Sequence, residues 1–138
     1  ARSTVNAVDS SVVVAAFASW HVLHDEARCV LDDGARLPAQ AALESYSVLT
    51  RLPSPHRAPP ELVGEFLTAR FPEPYLDLRP GTLAQLLREL VELGITGGAA
   101  YDAVIAATAR DAGAVLVSCD RRARATYGRV GAAVTFIG

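Results

Sequence analysis

Four acidic residues stand apart from the other charged side chains of this sequence, because each lies among apolar or small residues. They are Asp9, Glu44, Asp102 and Asp120. If the fold brings these carboxylates together, each close pair repels by roughly 3–4 kcal/mol at an effective dielectric constant near 20. A bound cation would offset that repulsion. The sequence therefore predicts a cation site where the four residues meet.

Each of the four acids also has an ordinary structural role open to it. Asp9 can cap the helix that follows it, and Asp102 can complement the dipole at the start of another helix. Glu44 can face solvent, and Asp120 can open a turn before Arg121. Taken singly, no acid decides between structure and function, so the prediction rests on their convergence.

The donor set of the predicted site contains oxygen only. Mg²⁺ and Mn²⁺ prefer carboxylate oxygens and water, and they accept phosphate oxygens as further ligands. A bound divalent ion lowers the pKa of a water ligand and stabilises charge on a phosphate, so hydrolysis of phosphodiester bonds is the natural chemistry. His21 and His24 lie three residues apart, but no third ligand completes a zinc site with them.

Short apolar strands that alternate with helices must position these acids, a pattern typical of an α/β fold. Asp9 and Asp120 each end a predicted strand or follow one, at residues 5–9 and 114–118. In a parallel sheet, the functional crevice lies beyond the carboxyl ends of the strands. We predict a three-layer sandwich, in which helices flank a mainly parallel central sheet. Further strands are predicted at 36–38, 75–78 and 133–137, and helices after Asp9 and at about 21–31, 41–52, 61–70, 82–93 and 99–112.

The composition excludes several other kinds of active site. All thirteen basic residues are arginine, so a phosphate-binding loop, a receiver domain and a Schiff-base enzyme would each lack their lysine. No G-x-S-x-G segment is present to form the nucleophile elbow of a serine hydrolase. A length of 138 residues is that of one ordinary domain, and we predict a single domain over residues 1–138.

The hydropathy and charge of the sequence also bound where the protein acts. No apolar run approaches the roughly 18 residues that a membrane span requires. No signal-peptide pattern opens the sequence, so we expect a cytoplasmic protein that does not contact a membrane. The net charge of −2 argues against a strongly basic nucleic-acid-binding surface, but it leaves local basic patches open.

Three short motifs contain three of the four acids. The first is Val8-Asp9-Ser10-Ser11-Val12; the second is Tyr-Asp-Ala-Val-Ile-Ala-Ala-Thr-Ala over residues 101–109, and the third is Leu-Val-Ser-Cys-Asp over residues 116–120. They resemble the D-[TS]-S-hydrophobic opening, the D-A-hydrophobic-I-A-A-T-A helix and the L-V-[TS]-x-D strand end of the PIN-domain ribonucleases. Glu44, in a predicted helix, is similar to the helix glutamate of that family. The resemblance spans nearly the whole chain, and within the family it is to VapC-like toxins of type II toxin–antitoxin modules.

This resemblance implies a PIN-like fold and a metal-dependent endoribonuclease that cleaves RNA phosphodiester bonds with a metal-activated water. It also implies a cognate antitoxin that blocks the acidic cleft, and a homodimer. The chain departs from many relatives after its last aspartate, where Arg121-Arg122-Ala123-Arg124 replaces a further acid or aromatic residue. The resemblance implies that Asp9, Glu44, Asp102 and Asp120 are the catalytic residues and bind Mg²⁺ or Mn²⁺. It also implies that Ser11 and Ser118 orient carboxylates or waters.

Arginines close to two of the acids are candidates for contact with the RNA backbone, because a guanidinium can donate two parallel hydrogen bonds to a phosphate. They are Arg51, Arg121, Arg122 and Arg124. Arg51 lies seven residues after Glu44 on the same predicted helix face. The alternatives are an ion pair for Arg51 and a solvated basic turn for the other three.

Two other functions remain open. The first is a metal-dependent phosphatase; enzymes of this kind with an aspartyl nucleophile have a second aspartate two residues after the first, where this chain has Ser11. The second is a catalytically silent PIN-like module that binds RNA or protein. Such a module would be expected to lack one of the acids, whereas this sequence contains all four.

Overall fold

Four short parallel strands form the central sheet of the protein in a computed structural model that describes residues 5–138. Strand β1 spans Asn6–Val8, β2 spans Ala35–Arg36, β3 spans Val115–Ser118 and β4 spans Val134–Phe136. Their order across the sheet is β2-β1-β3-β4, and each neighbouring pair is parallel. The predicted α/β fold with its parallel sheet is confirmed.

Helices connect and cover these strands. In the described part of the chain they are α1 (Ser10–Phe17), α2 (His24–Asp32), α3 (Ala39–Arg51), α4 (Pro60–Arg70), α5 (Thr82–Leu93), α6 (Ala99–Asp111) and α7 (Arg124–Val130), the last preceded by a 3₁₀ turn over Arg121–Ala123. Helices α1 and α6 both pack against β3, and α3 packs against α1 and α6. No helix among residues 5–138 is long and apolar enough to cross a membrane.

Small side chains allow the helices to lie close to the sheet. Ala15 and Ala16 of α1 and Ala103, Ala106 and Ala107 of α6 are completely buried. They pack in one core with the buried strand residues, which include Val8 and Leu116. Because alanine loses no side-chain rotamer entropy on burial, such helices combine close packing with high helix propensity.

The register of the two central strands sets the place of the site. Val8 at the end of β1 lies opposite Val117 of β3, and the amide of Asp9 donates to the carbonyl of Val117 at 3.2 Å. Parallel pairing therefore places the carboxyl ends of β1 and β3 side by side. The residues that follow both strands meet at one edge of the sheet, as the sequence predicts.

Two expectations about secondary structure are wrong. The predicted strand at 75–78 is reduced to a single bridge between Leu76 and Pro38, because the partner segment enters α3 at Ala39 and offers no further extended backbone. The strand predicted at 36–38 is the pair Ala35–Arg36. Helix α7 was not predicted, although arginine and alanine both favour helices.

Candidate active site

Asp9 is the most deeply buried of the four acids, with only 2% of its surface exposed. Its Oδ1 accepts hydrogen bonds from the Ser11 hydroxyl and from the amide of Val12, so that it caps α1. Its Oδ2 accepts a hydrogen bond from the hydroxyl of Tyr127 at 2.8 Å. A buried carboxylate is stable only when it is paired with donors, and these three contacts fix the orientation of both oxygens.

Tyr127 is a site residue that the sequence analysis missed. It lies in α7, is 1% exposed, and reaches Asp9 across 118 positions of the chain. Burial and the neighbouring Asp9 carboxylate raise the pKa of Tyr127 above its usual range, so its hydroxyl stays protonated and available as a donor. Ala123, Tyr127 and Val130 are the buried residues of the 3₁₀ turn and α7. Their i, i+4, i+7 spacing in the sequence is typical of a helix with one buried face, and it could have identified Tyr127 as an inward-facing residue.

We expect Tyr127→Phe to lower the free energy of unfolding by about 1.5–3 kcal/mol at pH 7, because Asp9 loses a donor while its carboxylate stays buried. Urea denaturation of the metal-free protein measures this loss. Tyr75→Phe is the matched control, since Tyr75 is 42% exposed, and it should change stability by less than about 0.5 kcal/mol. Equal urea midpoints for Tyr127→Phe and the wild type would contradict a stabilising role of the hydroxyl.

Ser11 and Ser118 form a short hydrogen-bonded bridge between the two strand ends. The Ser11 hydroxyl, which donates to Asp9, accepts from the amide of Cys119 at 2.8 Å. The Ser118 hydroxyl accepts from the amide of Asp120 at 2.9 Å, and the two hydroxyl oxygens are 3.4 Å apart. The serines thus tie the backbone that carries Asp120 to the carboxylate of Asp9.

Glu44 and Asp102 bring negative charge to the same place from α3 and α6. Partial burial, followed by the charges of Asp102 and Asp9, raises the pKa of Glu44 to about 7. Partial burial, followed by the charges of Asp120 and Asp9, raises the pKa of Asp102 to about 6, against a smaller opposing effect of Arg122. Because Asp9 and Asp102 raise the pKa of Glu44, and Asp9 and Asp120 raise that of Asp102, the fold brings the four sequence-predicted acids within electrostatic reach of one another.

Asp120 is a partly exposed member of this cluster. Its Oδ1 accepts from the amide of Arg122 at 3.1 Å and from the Arg122 guanidinium at 3.3 Å. The Arg122 side chain is 94% exposed and that of Asp120 is 33% exposed, so this pair contributes little to stability. Arg122 can therefore leave Asp120 when another partner arrives.

The family of the chain follows from a comparison with known proteins. Residues 7–129 match the PIN domain. The chain belongs to the PIN-domain family. This PIN domain is 47% identical over 124 residues to Ribonuclease VapC40 of two Mycobacterium tuberculosis strains, CDC 1551 / Oshkosh and H37Rv, a match that covers 90% of this chain and 92% of that protein. The resemblance inferred from the three motifs is confirmed.

Two further similarities agree with this membership. The PIN domain is 41% identical over 128 residues to Ribonuclease VapC27 of Mycobacterium tuberculosis H37Rv, with 91% of each chain covered. Its fold is similar to that in the crystal structure of PAE2754 from Pyrobaculum aerophilum, with a TM-score of 0.62 over 95% of this chain and 90% of that chain. The sequence identity in that match is 24%, so it supports the fold alone.

The chemistry of the PIN domain's acidic cluster suits a hard divalent cation. The Oε2 atom of Glu44 is buried and accepts no hydrogen bond from residues 5–138, and the four acids offer oxygen ligands only. Within those residues, no group of three His, Cys, Asp or Glu side chains is already arranged to hold a metal ion. In this structure the carboxylates of Asp9 and Asp120 accept hydrogen bonds from Tyr127, Ser11 and Arg122.

The predicted arginines of the PIN domain lie on two sides of the acids. Arg51 lines a cavity of about 450 Å³ together with Glu44. Arg121, Arg122 and Arg124 line another, of about 600 Å³, to which Arg129 also contributes. The guanidinium carbons of Arg121 and Arg124 lie 5.2 and 6.0 Å from the centre of the Phe136 ring. These contacts hold two arginines in place without neutralising their charge.

Proposed function

We propose that this PIN domain is a metal-dependent endoribonuclease. Its active site, in which RNA phosphodiester bonds are hydrolysed, would consist of Asp9, Glu44, Asp102 and Asp120. One observation carries the proposal: among residues 5–138, Glu44 has a buried carboxylate oxygen without a donor, and burial together with the charges of Asp102 and Asp9 raises its pKa. A divalent cation would satisfy that oxygen and offset the repulsion. RNA is proposed as the substrate because the similar VapC40 and VapC27 proteins are named ribonucleases.

Different residues of the site would have different roles in this reaction. Oxygens of Glu44, Asp102 and Asp120 would hold Mg²⁺ or Mn²⁺ with Asp9, whose position Tyr127 and Ser11 fix. When bound, the ion would supply a water of lowered pKa and stabilise charge on the phosphate. Ser118 holds the backbone of Asp120, and the four predicted arginines, Arg51, Arg121, Arg122 and Arg124, would contact phosphates on either side of the acids.

Removal of divalent ions tests this function. We expect the purified protein to cleave members of a panel of structured and single-stranded RNAs in Mg²⁺ or Mn²⁺, and to lose cleavage by about a hundredfold or more in excess chelator. Readdition of Mg²⁺ should restore it. Undiminished cleavage after exhaustive chelation would contradict the metal site. RNA that binds without being cleaved would favour the silent module, and hydrolysis of phosphate monoesters alone would favour the phosphatase.

We further propose that the protein acts as a toxin, forms a homodimer and is neutralised by a cognate antitoxin that covers the acidic cleft. This part rests on the similarity to two proteins named VapC. Expression of the chain alone should inhibit growth, and co-expression with the product of the neighbouring gene should relieve that inhibition. Light scattering of the purified chain reports its oligomeric state.

A further inference from the structure

An exposed tyrosine stands beside the acidic cluster and is not used by the function proposed above. Tyr101 precedes Asp102 in α6 and leaves 58% of its surface exposed. It lines the cavity of about 450 Å³ that also contains Glu44, Arg51, Leu43 and Gln40. Leu43 is 65% exposed. The cavity therefore combines an open aromatic ring and an open aliphatic side chain with one amide and one guanidinium.

This cavity adjoins the rest of the acidic site. It shares Ser10 and Val48 with a second cavity of about 570 Å³ that contains Ser11 and Asp120. That second cavity shares Arg121 and Arg122 with the arginine-lined cavity of about 600 Å³. Each cavity thus shares lining residues with the next. An RNA strand can therefore contact the arginines with its phosphates, place its scissile bond at the acids and continue towards Tyr101.

From this arrangement we propose that Tyr101 stacks on one unpaired nucleobase of the RNA, next to the scissile phosphate on the side opposite Arg121 and Arg122. The proposal rests on the endoribonuclease function and adds a base-contacting residue to it. Every nucleobase has a π-face, so stacking on an aromatic ring accepts any sequence but requires a base that is free of a partner strand. The site would thus select single-stranded segments.

The composition of the cavity favours a base over a phosphate at this point. A neutral base that contacts Tyr101 and Leu43 covers the apolar surfaces of two side chains that are otherwise exposed to water. Gln40 offers an amide that can donate to the edge of the same base and accept from it. Arg51, in the same cavity, is placed to contact the phosphate that follows the base.

A cycle of protein and RNA changes tests the stacking directly. The probes are a single-stranded RNA that the wild type cleaves and a series of the same RNA in which one nucleotide at a time lacks its base. We expect Tyr101→Ala to lower kcat/KM on the intact RNA about tenfold, the scale of one lost base–aromatic stack, and Tyr101→Phe to retain it. One abasic position beside the cleaved bond should lower kcat/KM for the wild type and for Tyr101→Phe, and should have no further effect on Tyr101→Ala.

Tyr75→Ala is the matched control, because Tyr75 is also exposed, at 42%, and lies between α4 and α5. It should behave as the wild type on every RNA. The proposal would be overturned if Tyr101→Ala and the wild type responded identically to every abasic position. It would also be overturned if Tyr101→Ala lowered kcat/KM but no abasic position lowered it in the wild type. The second result would indicate a protein partner for this surface. RNA affinities of the same variants, measured by fluorescence anisotropy in Ca²⁺, test the stacking without cleavage. If the wild type cleaves no RNA, that result contradicts the proposed function, and the binding data still decide whether Tyr101 stacks on a base.

Discussion

Asp120→Asn is expected to lower RNA cleavage by about tenfold to a hundredfold, the scale of losing one contribution to a metal site. The substitution removes a negative oxygen and keeps the size of the side chain. Asparagine can still accept the amide hydrogen bond from Arg122 that Asp120 accepts at 3.1 Å, so the turn stays capped. Stability of the metal-free protein should hold or rise, because Asp120 is one of the charges that raise the pKa of Asp102.

Asp111→Asn is the matched control for this variant. Asp111 lies at the end of α6, outside the acidic cluster, and pairs with the guanidinium of Arg110 at 3.0 Å. Its loss should leave cleavage within a factor of about two, because changes at exposed positions usually alter stability by less than about 0.5 kcal/mol. Initial rates at saturating Mg²⁺, with urea denaturation of both variants, decide the outcome. Equal rates for the two variants would exclude Asp120 from the site, and unfolding of Asp120→Asn would mean that its role is structural.

Glu44→Gln should have two opposite effects: less cleavage and a more stable metal-free protein. Cleavage should fall by about tenfold to a hundredfold, because an oxygen ligand loses its charge. The free energy of unfolding at pH 8 should rise by about 1–2 kcal/mol, a figure already reduced for the screening of a half-exposed group by solvent. A residue with a purely structural role would not give this combination.

The pH dependence of the free energy of unfolding tests whether ionised Glu44 destabilises the folded protein. The pKa of Glu44 is raised from its ordinary value of 4.5 to about 7 in the folded protein. Between these two values the folded state keeps a proton that the unfolded state has lost, so the free energy of unfolding falls as pH rises through this window. Asp102 adds to the fall between 3.8 and about 6. We expect Glu44→Gln to remove the part of the slope between about pH 6 and 7.

Glu65→Gln is the control for this measurement, because Glu65 lies on the exposed surface of α4. It should keep the full pH slope and change stability by less than about 0.5 kcal/mol. Urea midpoints measured at several pH values in chelator give both slopes. If Glu44→Gln and the wild type lose stability in parallel from pH 5 to 8, Glu44 does not carry the repulsion assigned to it.

The sequence alone was sufficient to predict the fold class and the grouping of the acids, because both depend on local pattern and one rule of topology. Apolar runs before Asp9 and Asp120 marked two strands. The carboxyl ends of parallel strands meet at one edge of a sheet, so these two acids had to be neighbours once the strands paired. Glu44 and Asp102 were recognisable because they interrupt helical segments of small and apolar residues.

Only the tertiary structure decided how each acid is held, because those contacts join positions far apart in the chain. The Tyr127 hydroxyl meets Asp9 from 118 residues away, and no periodicity in the sequence specifies which polar atom a buried ring will reach. The exposure of Tyr101 and the sequence of three adjoining cavities likewise depend on how α1, α3 and α6 pack. Sequence pattern fixes which residues a strand or helix carries, whereas the environment of a charge depends on every element that surrounds it.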